Sequence, residues 1–175
     1  MKILPAVLAV TLAATLVAAS DLSVKVDGNT VTIKRTPLNH EITEKDMAAG
    51  SQTTAMGCSF LFYSRLAQGD IPAAASLTTD PKAKAEEWQQ LQARNGGPVA
   101  LRKMAADYFT SKKVIIEQLT LGDEVLLIVR SIEYTAGQMY VKQGDKWVMT
   151  DSPTPDTGKV FGQILHMIQE GTYKP

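Results

Sequence analysis

Met56–Asp80 reads MGCSFLFYSRLAQGDIPAAASLTTD, and this stretch decides the fold. Met56, Phe60, Tyr63 and Ala67 recur at helical spacing, and Leu61, Phe62 and Leu66 widen the apolar stripe. A stripe this broad belongs to a helix buried over much of its circumference. Gly69 stops it as a C-cap glycine does. Asp70 then caps a second, Ala-rich helix, with Pro72 in its first turn, where a missing N–H is harmless. The single cysteine, Cys58, lies in the first helix. It is read as a small buried hydrophobe, with an intermolecular disulfide as the sharper reading.

Downstream, Asp80-Pro81 repeats the cap-plus-proline device and opens a helix over residues 82–94, with Ala85, Trp88 and Leu91 inward. Asn95-Gly96-Gly97 breaks the chain, and Pro98 begins a further helix carrying Leu101, Met104, Ala105 and Tyr108. The pattern then becomes β. Residues 114–121 form a strand, and Val125–Val129 is a continuous apolar run, as expected of a central strand covered on both faces. Thr135-Ala136-Gly137 reads as a turn. Gln143-Gly144-Asp145 makes a tight hairpin with Trp147 just after it. Val160, Phe161, Ile164, Leu165 and Ile168 mark a last helix over 158–170.

Upstream, Leu22–Arg35 alternates around Asp27-Gly28, a strong hairpin signal. Pro37 is expected to end this hairpin. Residues 38–50 read as a polar linker with a short helix capped by Thr43. Residues 1–20, with Lys2, an apolar run and Val17-Ala18-Ala19, read as a secretory signal peptide. The expected organisation is therefore a signal peptide over 1–20, a hairpin and linker over 21–50, and an α+β cone-like domain over 51–175. The fold class is α+β: an N-terminal β-hairpin, helices packed on one face of a curved antiparallel β-meander, and a C-terminal helix.

Removing Lys2 takes the 18 basic residues to 17, against 18 acidic ones. No basic surplus is present to hold a phosphate backbone, which excludes nucleic acid as a partner. No apolar run outside the N-terminus approaches membrane length. The expected location is the periplasm or the medium. The hairpin, joined by a polar linker, is expected to be separable from the core and to serve a protein partner or a homodimer. The competing reading is that it completes the sheet.

Phe62-Tyr63-Ser64-Arg65-Leu66-Ala67-Gln68-Gly69-Asp70 followed by Ala73-Ala74-Ala75-Ser76-Leu77 resembles the opening helices of the nuclear transport factor 2-like (cystatin-like) superfamily. Residues 140–148, YVKQGDKWV, are similar to its closing hairpin. The N-terminal hairpin and the C-terminal helix are additions to that pattern. The resemblance implies a cone with a pocket between helices and sheet, in which the family's enzymes place a carboxylate or a His–Asp pair. The pocket candidates here are Tyr63, Tyr108, Glu117, Tyr134 and Trp147.

No constellation in the sequence supports catalysis. His40 lies in the linker and His166 on a mostly apolar helix, where a lone histidine is more often a packing residue than a base. Two distant histidines and one cysteine give no zinc spacing, and no calcium loop is present. No catalytic residue, metal or cofactor is assigned. Lys112-Lys113 reads as a solvated strand entry. The expected function is non-catalytic binding of a small apolar ligand or a protein partner in the cell envelope. The alternative is a small pocket enzyme of isomerase, cyclase or hydratase type. An ionisable group projecting into a deep pocket would favour the enzyme.

Overall fold

Six strands follow one another in the sheet in chain order, each antiparallel to the next. This computed structural model describes residues 20–110 and 112–175, without the side chains of 108–110. The signal-peptide reading over 1–20 therefore falls, but for Ser20, outside the described residues. The strands are β1 (Ser20–Val26), β2 (Asn29–Glu41), β3 (Val114–Leu121), β4 (Glu124–Arg130), β5 (Thr135–Gln143) and β6 (Lys146–Met149). Between β2 and β3 run α1 (Glu44–Ala48), α2 (Ala55–Ala67), α3 (Ile71–Ala75), α4 (Pro81–Arg94) and α5 (Pro98–Thr110). A final helix, α6 (Pro155–Gln169), follows β6. The fold is α+β. Among the described residues, no helix is long and apolar enough to cross a membrane.

β4 explains why both faces of the sheet are covered. Val125, Leu127 and Val129 point into a core shared with Cys58, Phe62 and Leu66 of α2. Leu126 and Ile128 point the other way, into a core with Phe161 and Ile164 of α6. The period of two along a strand makes this division automatic. The expectation of helices on one face is thereby corrected: α6 covers the second face, because its apolar stripe meets the apolar residues that β1–β4 turn away from α2.

The hairpin belongs to this sheet and is not a separate unit. β2 continues through Pro37 to Glu41 and pairs with β3 from Lys34↔Thr120 to Glu41↔Val114. Pro37 does not end the strand because the pairing slips between Pro37 and His40, with Asn39 at φ 47°. A bulge is where a strand tolerates a residue without an N–H. Val24 and Ile33 are buried against α6. The competing reading of the hairpin is therefore the one observed.

The caps form as the sequence suggests. Asp70 Oδ1 accepts from Ala73 N and Asp80 Oδ1 from Ala83 N, each at 3.0 Å. Asp46 accepts from the Thr43 amide and hydroxyl at 2.7 Å at the start of α1. Gly69, at φ 80°, closes α2. The start of α6 is held from a distant strand: Glu124 accepts from the Thr154 amide at 2.7 Å and its hydroxyl at 2.5 Å. Burial acts to raise the Glu124 pKa, but Thr154 and Thr157 outweigh it and hold the carboxyl below its usual range.

Two details differ from the sequence pattern. The deepest line of α2 is Ala55, Cys58, Ser59, Phe62 and Leu66, with Met56 and Tyr63 only half-buried. Small residues on that line let α2 approach the sheet closely. Thr135-Ala136-Gly137 is strand, not turn, and the turn lies at 131–134. Gly137 is small for packing: a Cβ there would sit 2.5 Å from Leu165 Cδ2 and 2.7 Å from Leu126 Cδ1.

Gly50 is the tightest crossing in the helical layer. A Cβ on it would lie 2.5 Å from Leu61 N and 2.8 Å from Leu61 Cα. Backbone cannot yield as a flexible side chain can, so Gly50→Ala is expected to destabilise by about 2–3 kcal/mol. Urea titration checks this; a change below about 0.5 kcal/mol would mean that α1 and α2 slide apart freely.

Candidate functional site

A cavity of about 710 Å³ opens at one end of the helical layer. α2 supplies Tyr63 and Leu66, α4 supplies Trp88, and α5 supplies Ala100, Lys103, Met104, Ala105 and Asp107. Lys113, at the entry to β3, and the β4–β5 turn, Ser131–Tyr134, complete it. The lining is mainly apolar. The rim exposes large apolar side chains: Ile132 is 88% accessible, and Met104 and Tyr134 are exposed as well. The volume lies within the range of small-molecule sites.

The polar groups in the wall are few and specific. Tyr63 Oη accepts from Gln138 Nε2 at 3.0 Å, and Gln138 Oε1 accepts from Ser59 Oγ and Tyr140 Oη, both at 2.9 Å. This network ties α2 to β5 behind the cavity and fixes the Tyr63 ring. Trp88 packs edge-on to Phe62, with ring centroids 6.0 Å apart. Its Nε1–H is buried and has no acceptor among the described residues.

Lys113 is the unexpected member. It is 5% exposed, and its Nζ lies 5.8 Å from the centre of the Tyr134 ring. Burial pushes its pKa down, opposed by the charges of Asp107 and Glu133. The reading of Lys113 as solvated is thus overturned. Its local sequence resembles any basic strand entry; what buries it is the turn at 131–134, which is far away in the chain.

The five pocket candidates separate. Tyr63 and Tyr134 both line the cavity. Tyr108 is in α5, and its side chain lies outside the described residues. Trp147 is half-buried against the helical core but is not part of the cavity wall. Glu117 is on the opposite face of the sheet. It is 1% exposed, paired with Arg35 Nε, and accepts from Tyr173 Oη at 2.6 Å. A pairing slip between Ile115 and Glu117 sets Ile115 toward α2, while Ile116 and Glu117 both go to the α6 side. Burial first, and then Glu117, raise the Tyr173 pKa.

Cys58 is fully buried, and burial pushes its thiol up to about 12. A group so placed does not make an intermolecular disulfide. His40 Nε2 lies 3.1 Å from Asp46, and His166 Nε2 lies 3.2 Å from Glu170 on the exposed side of α6. Neither reaches the cavity. Among the described residues, no group of three or more His, Cys, Asp or Glu is placed to hold a metal.

A second hollow, about 800 Å³, lies at the other end of the sheet. Four of its polar groups are engaged with one another: Lys159 with Asp27 at 2.6 Å, and Glu124 with Thr154. The Tyr63–Lys113 cavity is the better candidate because its wall is mainly apolar and its rim exposes large apolar side chains.

No protein-family model, no curated protein and no solved structure matches the chain.

Proposed function

We propose that the chain is a non-catalytic binding domain of the cell envelope, periplasmic or secreted, that holds a small and mainly apolar ligand. The carrying observation is the mainly apolar cavity of about 710 Å³ between α2, α4, α5 and the 131–134 turn. Apolar lining supplies affinity by area, and the few polar groups orient the ligand. Trp88 and Tyr63 present aromatic surface to the ligand, and Lys113 offers a partly desolvated cation. The nuclear transport factor 2-like resemblance implies a pocket between helices and sheet, whereas this cavity lies among three helices and a turn, so the reading rests on the cavity and not on the resemblance.

Two measurements test it. Native mass spectrometry of the protein purified from its own envelope reads out a retained small molecule. Titration with 1-anilinonaphthalene-8-sulfonate, an apolar anion, should give saturable binding at one site. Ala100→Trp fills the cavity and should weaken that binding by about ten-fold or more. Absence of saturable binding, or binding unchanged by Ala100→Trp, would remove this reading.

Lys113 favours one alternative, a small pocket enzyme. A lysine with a lowered pKa in an apolar wall has the character of a base or of an amine that condenses with a carbonyl. Borohydride trapping with an aliphatic aldehyde, compared between the native chain and Lys113→Met, separates the two. Lys113-dependent trapping at stoichiometric level would favour the enzyme; its absence favours the binder.

A further inference from the structure

β1 is the outermost strand, and no described strand pairs with its free edge. The Asp27-Gly28 turn decides which backbone groups that edge presents. Both residues have positive φ, 51° and 81°, and Val26 pairs with Asn29 across them. This is the two-residue hairpin of primed type. The pair flanking such a turn exchanges both backbone hydrogen bonds, and bonded and non-bonded pairs then alternate. Val26, Val24, Leu22 and Ser20 therefore bond inward to β2. Lys25, Ser23 and Asp21 turn their N–H and C=O groups outward.

We propose that this edge pairs antiparallel with the same edge of a second copy of the chain, about a two-fold axis at Ser23. In that register Ser23 meets its own copy, Asp21 meets Lys25, Lys25 meets Asp21, and Leu22 meets Val24. Each outward N–H and C=O of the three residues finds a partner. Each charge lies opposite its complement, in the cross-strand relation that stabilises sheets. Other registers lose this match. Axes at Asp21 or Lys25 set like charges against each other, and axes at Leu22 or Val24 pair neither charge with its opposite. The sequence of β1 is self-complementary in one register only.

Apart from the charges of Asp21 and Lys25, which are complementary across the axis, the edge lacks the devices that keep an edge strand solitary. It has seven residues, no proline, and an unbroken register with β2. Its apolar residues serve the same end. Leu22 and Val26 are half-buried beside the buried Val24, packed on the α6 core. Placing Leu22 against the partner's Val24 extends that core across the axis.

A cysteine scan tests the register. Opposed bonded residues stand about 5.5 Å apart at Cα, within disulfide range. Ser23→Cys should yield a covalent dimer under mild oxidation, with no competition from the buried Cys58. Asp21→Cys and Lys25→Cys should not, because each lies about 14 Å from its own copy. Sedimentation of the native protein from about 1 to 500 µM, the range of small interfaces, should show dimer. Asp21→Lys should weaken it by about ten-fold, and Asp21→Lys with Lys25→Asp should restore it. Monomer throughout, a dimer that Ser23→Cys does not cross-link, or a dimer indifferent to the charge reversal would each overturn the proposal.

Discussion

Removing residues 20–36 is expected to abolish the folded domain. The deletion takes away β1 and most of β2, which cover the edge of β3 and one side of α6. Val24 and Ile33 are buried, and Leu22, Val26 and Val31 are partly so. Each fully buried aliphatic side chain contributes about 1.5–3 kcal/mol. The loss is therefore about 5 kcal/mol or more before the β2–β3 hydrogen bonds are counted, comparable with the whole stability of a typical domain. It also leaves Leu119 and Phe161 facing water. The expected readout is loss of the cooperative thermal transition followed by circular dichroism. A shortened chain that still melts cooperatively near the native temperature would show the hairpin to be an appendage, as its polar surroundings in the sequence suggest.

That contrast marks where the sequence is legible. Local signals have local causes: Asp70, Asp80 and Thr43 cap helices, Gly69 ends one, and Asp27-Gly28 turns a hairpin, all within a few residues of the pattern that reveals them. The run Val125–Val129 also carries its own message, since alternate residues must serve two cores. The destination of the hairpin has no such signature. Pro37 looks like a terminator because the bulge that accommodates it is defined by the pairing with β3, eighty residues on.

The site follows the same division. Tyr63 and Tyr134 are recognisable as aromatics able to line a pocket, and both do. Lys113 and Trp88 look like surface and core in the sequence, because nothing near them tells of the turn at 131–134 or of an indole N–H without an acceptor. The sequence leaves the direction of Glu117 open, and the structure turns it away from the cavity. A one-residue slip in a strand moves a side chain to the other face, and the irregularity at 115–117 has no sequence marker.

Arg35→Met is expected to cost about 3 kcal/mol, toward the lower end for breaking a buried ion pair. Glu117 is almost inaccessible and sits beside Ile116 and Leu119, so its charge is compensated by Arg35 and by the Tyr173 hydroxyl, 2.6 Å away. Without Arg35 the carboxylate retains one neutral donor in an apolar surrounding. The Arg35 side chain is 20% exposed, so water reaches the pair and trims the loss below that of a fully enclosed one. Guanidinium titration measures it. Adding Glu117→Gln should recover part of the loss, because a neutral amide needs no counter-charge. A coupling below about 0.5 kcal/mol in this double-mutant cycle would mean that the pair is screened and contributes nothing. The position explains why the effect is expected to be large. Arg35 comes from β2, Glu117 from β3 and Tyr173 from the segment after α6. One carboxylate therefore joins the hairpin, the central sheet and the C-terminal tail, and uncoupling it loosens all three together.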